Sequence, residues 1–140
     1  MPSPSELAAT DSAGSLYAGG AFLEAGGETV HNVALWDGGA WHAVGLGTVG
    51  TVRALTIDES DGDLYAGGEF IGAGGVVAPH LARWDGVEWS DVAGGTDGTV
   101  NALLADANYL YVGGQFTEAG GISAHRVARL SHGHTWYPLG

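Results

Sequence analysis

The chain reads as an all-β protein, a β-propeller of three four-stranded antiparallel blades, and three observations lead there. A short phrase recurs as "LYAGGAF" at Leu16 to Phe22, "LYAGGEF" at Leu64 to Phe70 and "LYVGGQF" at Leu110 to Phe116. Each recurrence brings with it four segments of strand length. Between those segments lie glycine-rich breaks that leave no run of about ten residues for a helix.

The period confirms that the repetition is architectural. Tyr17, Tyr65 and Tyr111 stand 48 and 46 residues apart, a spacing typical of propellers and other arrays. Phe22, Phe70 and Phe116 keep step, as do "AGG" at Ala25, Ala73 and Ala119 and the tryptophans Trp41, Trp89 and Trp136. "LWDGGAW" from Leu35 to Trp41 returns as "RWDGVEW" from Arg83 to Trp89. The third copy has drifted to "RLSHGHTW", with Leu130 for the first Trp, Ser131 for the Asp and one residue inserted before Trp136. On this period the single domain 1–140 divides into blades at about 2–47, 48–95 and 96–140.

In the middle copy the four strands are expected at Thr51 to Ile57, Leu64 to Phe70, His80 to Trp84 and Glu88 to Ala93. "DESDGD" separates the first two and "DG" the last two. Both are hairpin chemistry, because Asp and Gly accept the left-handed conformations of tight turns. A blade lies between two neighbours, so its inner strands bury both faces and lose polar alternation, as "ALTI" and "LYAGG" do. Paired glycines at 19–20, 67–68 and 113–114 weaken an isolated strand, and they make sense where a backbone or a large ring comes close. The tryptophans are the expected cover. Core packing is the ordinary role of Trp36, Trp41, Trp84, Trp89 and Trp136, and sugar stacking by Trp36 and Trp84 is the sharper alternative.

Composition narrows the function. The sequence is 45% hydrophobic and 14% charged, which suits a folded core. Its net charge of −12 repels a phosphate backbone, so nucleic acid is not an expected partner. No apolar run reaches the roughly 18 residues of a membrane span, and "MPSPSELAATDSAG" has neither the basic start nor the apolar stretch of a signal peptide. The absence of cysteine removes disulfides and thiolate chemistry without fixing the compartment.

"LYVGGQFTEAGGISAHRVARL" and "ALWDGGAWHAVG" resemble the glycine-rich, kelch-like propeller repeats of bacterial secreted and surface proteins and fungal cortical-marker proteins. The resemblance spans essentially the whole chain. It implies a β-propeller, an extracellular or cell-surface location, and a binding or scaffolding role. These repeats share no catalytic residues that could be carried over.

Several residue groups invite chemistry. His132 and His134, with His125 seven residues earlier, suggest a metal, yet no equivalent group exists in the other copies. "DESDGD", Asp58 to Asp63, carries four carboxylates in six residues but lacks the order of an EF-hand loop, and a solvated turn is the ordinary reading. There is no G-x-S-x-G, H-E-x-x-H or P-loop. Neither a metal, a cofactor nor a catalytic residue is therefore assigned. In a propeller the loops joining strand two to three, and one blade to the next, emerge at one end, where recognition favours variable residues. Glu28, His31, Val77, His80, Asp97, His125 and Arg126 are the candidate binding rim.

The expected function is a non-enzymatic interaction module, lectin-like or protein-binding. A structural half-propeller, or a piece of a larger surface propeller without a small ligand, is the alternative, and a carboxylate hydrolase comes third. Propellers close with about 4 to 8 blades, so three blades leave two apolar faces in water. Two chains in a homodimeric six-bladed ring would cover both.

Overall fold

The computed structural model describes residues 7–132 and 134–139. Residues 2–6 and 140, which the repeat assigns to the first and third blades, lie outside the described residues. Every regular element among those described is a strand. The first sheet uses β1 (Leu7–Thr10), β2 (Leu16–Gly19), β5 (Val33–Trp36) and β6 (Trp41–Ala43), and the short hairpin β3 (Glu24–Ala25) and β4 (Glu28–Thr29) falls between its second and third strands. The second is built likewise from β7 (Val52–Asp58), β8 (Asp63–Gly68), β9 (Gly72–Ala73), β10 (Val76–Val77), β11 (Leu81–Trp84) and β12 (Trp89–Asp91). The third comprises β13 (Val100–Ala105), β14 (Tyr109–Gly114), β15 (Glu118–Ala119), β16 (Ile122–Ser123), β17 (Val127–Ser131) and β18 (Trp136–Pro138). Each four-stranded sheet is an antiparallel meander in chain order, so three blade-like units follow one another.

The turns explain the acidic punctuation. Asp11 and Asp106 follow the first strand of their sheets and Asp58 ends it, and each Oδ1 accepts from backbone N–H of the turn it begins. Asp37 and Asp85 do the same between the third and fourth strands. Such side chains satisfy donors that a tight turn would otherwise leave unpaired. In the drifted third copy the Ser131 hydroxyl takes over, accepting from Thr135 N at 3.1 Å. The turn survives the substitution and the inserted residue.

Packing between sheets accounts for the burial pattern. One apolar cluster joins Tyr17, Val33, Leu35 and Val44 of the first sheet and its outgoing loop to Leu64, Ala66, Ala82, Trp84 and Trp89 of the second. Another joins Tyr65, Leu81 and Val92 to Leu110, Val112, Ala128, Leu130 and Trp136 of the third. The second sheet is therefore covered on both faces, and Leu64–Gly68 is continuously buried. Its counterpart β14 alternates buried with half-buried residues, the signature of one covered face. Phe70 and Phe116 anchor the bends after β8 and β14 and are 0% and 1% exposed.

The glycines and tryptophans meet different partners from those the sequence suggests. Strand glycines Gly19 and Gly67 admit the next sheet's first strand: a Cβ on Gly19 would lie 2.7 Å from Val52 Cγ1, and one on Gly67 would collide with Val100. The tryptophans cover the other glycines, those of "AGG". A Cβ on Gly26 would lie 2.6 Å from Trp41, and one on Gly74 would lie 2.8 Å from Trp89. Recurrence at one period reveals that both sets matter but not which touches which.

Candidate functional site

The short hairpins and the loops between sheets share one end of the molecule, and hydrogen bonds stitch them together. The loop after β6 forms a β-bridge from Thr48 to Ala73, and the loop after β12 forms one from Thr96 to Ala119. Thr48 N donates to His31 O at 3.0 Å, and Thr96 N donates to Pro79 O at 3.2 Å. Each connecting loop is thus held between the hairpin region of the sheet it leaves and the hairpin of the sheet it enters. A rim built this way is fixed by backbone bonds, which leaves its outward side chains free to vary.

One position per repeat shares a backbone conformation, and in the first two repeats it is a latch. Asn32, His80 and Arg126 immediately precede β5, β11 and β17 by one residue, and all three have positive φ, at 67°, 64° and 71°. Asn32 Nδ2 donates to Thr48 O at 3.0 Å, and His80 Nδ1 lies 2.8 Å from Thr96 O. Both side chains thereby grip the next connecting loop. The amide and the imidazole do the same job in successive repeats, a likeness the different letters conceal.

The candidate rim residues divide by this geometry. His80 is engaged in the latch, and Asp97 is engaged too: its carboxylate accepts from Thr117 N, Thr117 Oγ1 and Glu118 N at 2.7 to 3.0 Å. The Glu118 backbone bond, followed by those from Thr117, holds the Asp97 carboxyl below the usual carboxylate range. Glu28, His31, Val77, His125 and Arg126 are exposed around the hairpins, with Val77 at 78%. His31 and His125 occupy matching positions, where the second repeat has Pro79. The exposed set offers carboxylate, imidazole, guanidinium and apolar contacts.

At the opposite end, the two metal-suggesting stretches meet. Asp58 and Asp61 of the turn before β8 line a pocket of about 90 Å³ with Tyr65, Arg83, His132 and His134. His132 Nδ1 lies 3.7 Å from Asp58 Oδ2, and Arg83 Nε lies 3.2 Å from Asp63 Oδ2. Asp58 is already engaged by Ser60 N and Oγ. Burial, and then the Asp61 charge, pushes the Asp63 carboxyl up. His125 belongs to the hairpin end, so the three histidines do not converge. Among the described residues no group of three or more His, Asp or Glu could hold a metal ion.

A second, larger pocket opens on the first sheet beside Trp36, the residue the sequence offered for sugar stacking. It measures about 420 Å³ and is lined by Gly26, Glu28, Trp36, Gly39, Ala40 and Trp41. The two indole rings lie 5.4 Å apart at 52°, the arrangement Trp84 and Trp89 repeat at 5.5 Å and 48°. The recurrent "WDG..W" was the signal available for it. No protein-family model, curated protein or solved structure matches the chain.

Proposed function

We propose that the chain is a non-enzymatic interaction module of the β-propeller type, working outside the cell or at its surface, with its three sheets as blades of a six-bladed ring made by two chains. The hairpin end is its recognition surface, and the ligand is a glycan or a protein. The observation that carries this reading is the division of labour at that end. Asn32, His80, Asp97 and the Thr48 and Thr96 backbones hold the rim, while Glu28, His31, Val77, His125 and Arg126 are exposed on it.

A glycan array tests the reading directly. Saturable binding is expected, weakened at least about tenfold in a His31→Ala, His125→Ala double variant whose circular dichroism is unchanged. His80 is left intact because its loss would loosen the rim itself. Binding that ignores both substitutions removes the rim as the site. An array and a protein capture screen that are both empty would favour the second reading, a structural building block without a small ligand, which the engagement of His80 and Asp97 in the scaffold supports.

A further inference from the structure

The Trp36–Trp41 pocket has two filled counterparts within the molecule. On the second sheet, Trp84 and Trp89 close over the loop leaving the first sheet: a Cβ on Gly45 would lie 2.8 Å from Trp84, and Trp89 Nε1 donates to Val44 O at 2.8 Å. On the third, Trp136 Nε1 donates to Ala93 O at 2.9 Å across the next junction. Val44 and Val92, the apolar residues that begin these two loops, are each 2% exposed. Trp41 matches Trp89 and Trp136 in the repeat, but its pocket is open.

The mating surface lies on the third sheet. Leu139 matches Val44 and Val92 in the repeat, yet it is 48% exposed. Val33 and Leu81, on the faces the first and second sheets turn toward their successors, are 0% exposed, whereas Val127 in the same register is 42%. Gly113 matches Gly19 and Gly67, but nothing lies nearer than 3.8 Å to a Cβ placed on it. Leu104 beside them is 63% exposed. The third sheet thus keeps the receiving face of the first two, and the first sheet keeps the tryptophan pocket that the second closes over its predecessor.

We propose that these two surfaces mate head to tail between two copies of this chain, Leu139 of one copy entering the Trp36–Trp41 pocket of the other. The proposal rests on the ring reading above and specifies its interface. The occupant follows from continuity: the junction repeats one already present twice within the chain, with Leu139 in the place of Val44 and Val92 and Trp41 in the place of Trp89 and Trp136. Two such junctions related by a two-fold axis leave neither face open. A carboxylate at position 139 would be stranded between indoles and beside the Glu28 carboxylate.

Size exclusion with light scattering on the 140-residue chain tests this. Wild type is expected as a two-chain particle. Leu139→Asp should raise its dissociation concentration about tenfold or more, and Leu139→Val, which restores the residue of the other repeats, should leave it unchanged. Because the chain has no cysteine, a Leu139→Cys, Ala40→Cys double variant treated with a short bismaleimide gives an independent readout. A covalent two-chain product that neither single variant yields is expected. A two-chain wild type indifferent to Leu139→Asp and giving no such product would overturn this interface alone. A wild-type single chain would overturn the ring reading with it, while glycan binding through His31 and His125, which do not line this pocket, is read separately.

Discussion

Asp37 shows how much of this fold is decided by single polar side chains. Its carboxylate accepts from Gly39 N and Ala40 N at 2.8 Å each and lies 2.6 Å from His42 Nε2. Those bonds, the Gly39 backbone first, lower its pKa from 3.8 to about 2. Asp85 and Asp106 are lowered by equivalent turn bonds. A carboxyl whose pKa is depressed in the folded state stabilises the fold above its unfolded value and loses that contribution as pH falls through the folded one. Thermal stability should therefore decline between the ordinary carboxylate value of 3.8 and about 2. Asp37→Asn keeps a turn acceptor without the titration, so the variant's melting temperature should fall less steeply over that interval. Melts at several acid pH values decide it, and an unchanged slope would show that the turn bonds do not couple to folding.

At the scale of strands and sheets, the four-stranded units were legible because turn chemistry and period agreed. Asp11, Asp58 and Asp106 mark one turn, and Asp37 and Asp85 mark another. The two-residue strands of β3–β4 and its counterparts were not legible, since two residues on either side of a recurring Gly-Gly are too short to show strand alternation. The latch was hidden for a different reason: Asn32 and His80 share a backbone conformation and an acceptor but not a residue type. The loops that gather at the hairpin end could be named from sequence, whereas the side chains that brace them and those left exposed could be separated only once the hydrogen bonds were known. The strand glycines make the strongest element-scale prediction. Gly67 lies in β8, where a Cβ would collide with the Val100 side chain, itself 0% exposed and packed among neighbours. Gly67→Ala should thus force the second and third sheets apart and cost about 1–3 kcal/mol. Urea unfolding at fixed protein concentration measures it, and an unchanged midpoint would mean that the sheets pack less closely than this geometry requires.

For the whole molecule, the decisive comparison is between Gly67 and Gly113, which share a register position and differ in what faces them. If the third sheet's outer face stays in water, Gly113→Ala meets nothing nearer than Ala102 Cβ and Arg126 O at 3.8 Å. The change should then fall within about 0.5 kcal/mol of neutral, as surface substitutions usually do, with a small gain from a stiffer unfolded chain. In a two-chain ring the partner's first sheet occupies the place that the third sheet takes over Gly67. The added methyl would then meet an incoming strand, and its cost would fall on association rather than on folding of the separate chain. Gly113→Ala should accordingly raise the dissociation concentration roughly tenfold, while Gly67→Ala lowers stability at every concentration. A dilution series of both variants by light scattering separates the effects. A two-chain particle as tight in Gly113→Ala as in wild type would mean that the third sheet does not receive its partner as the first two sheets receive their successors.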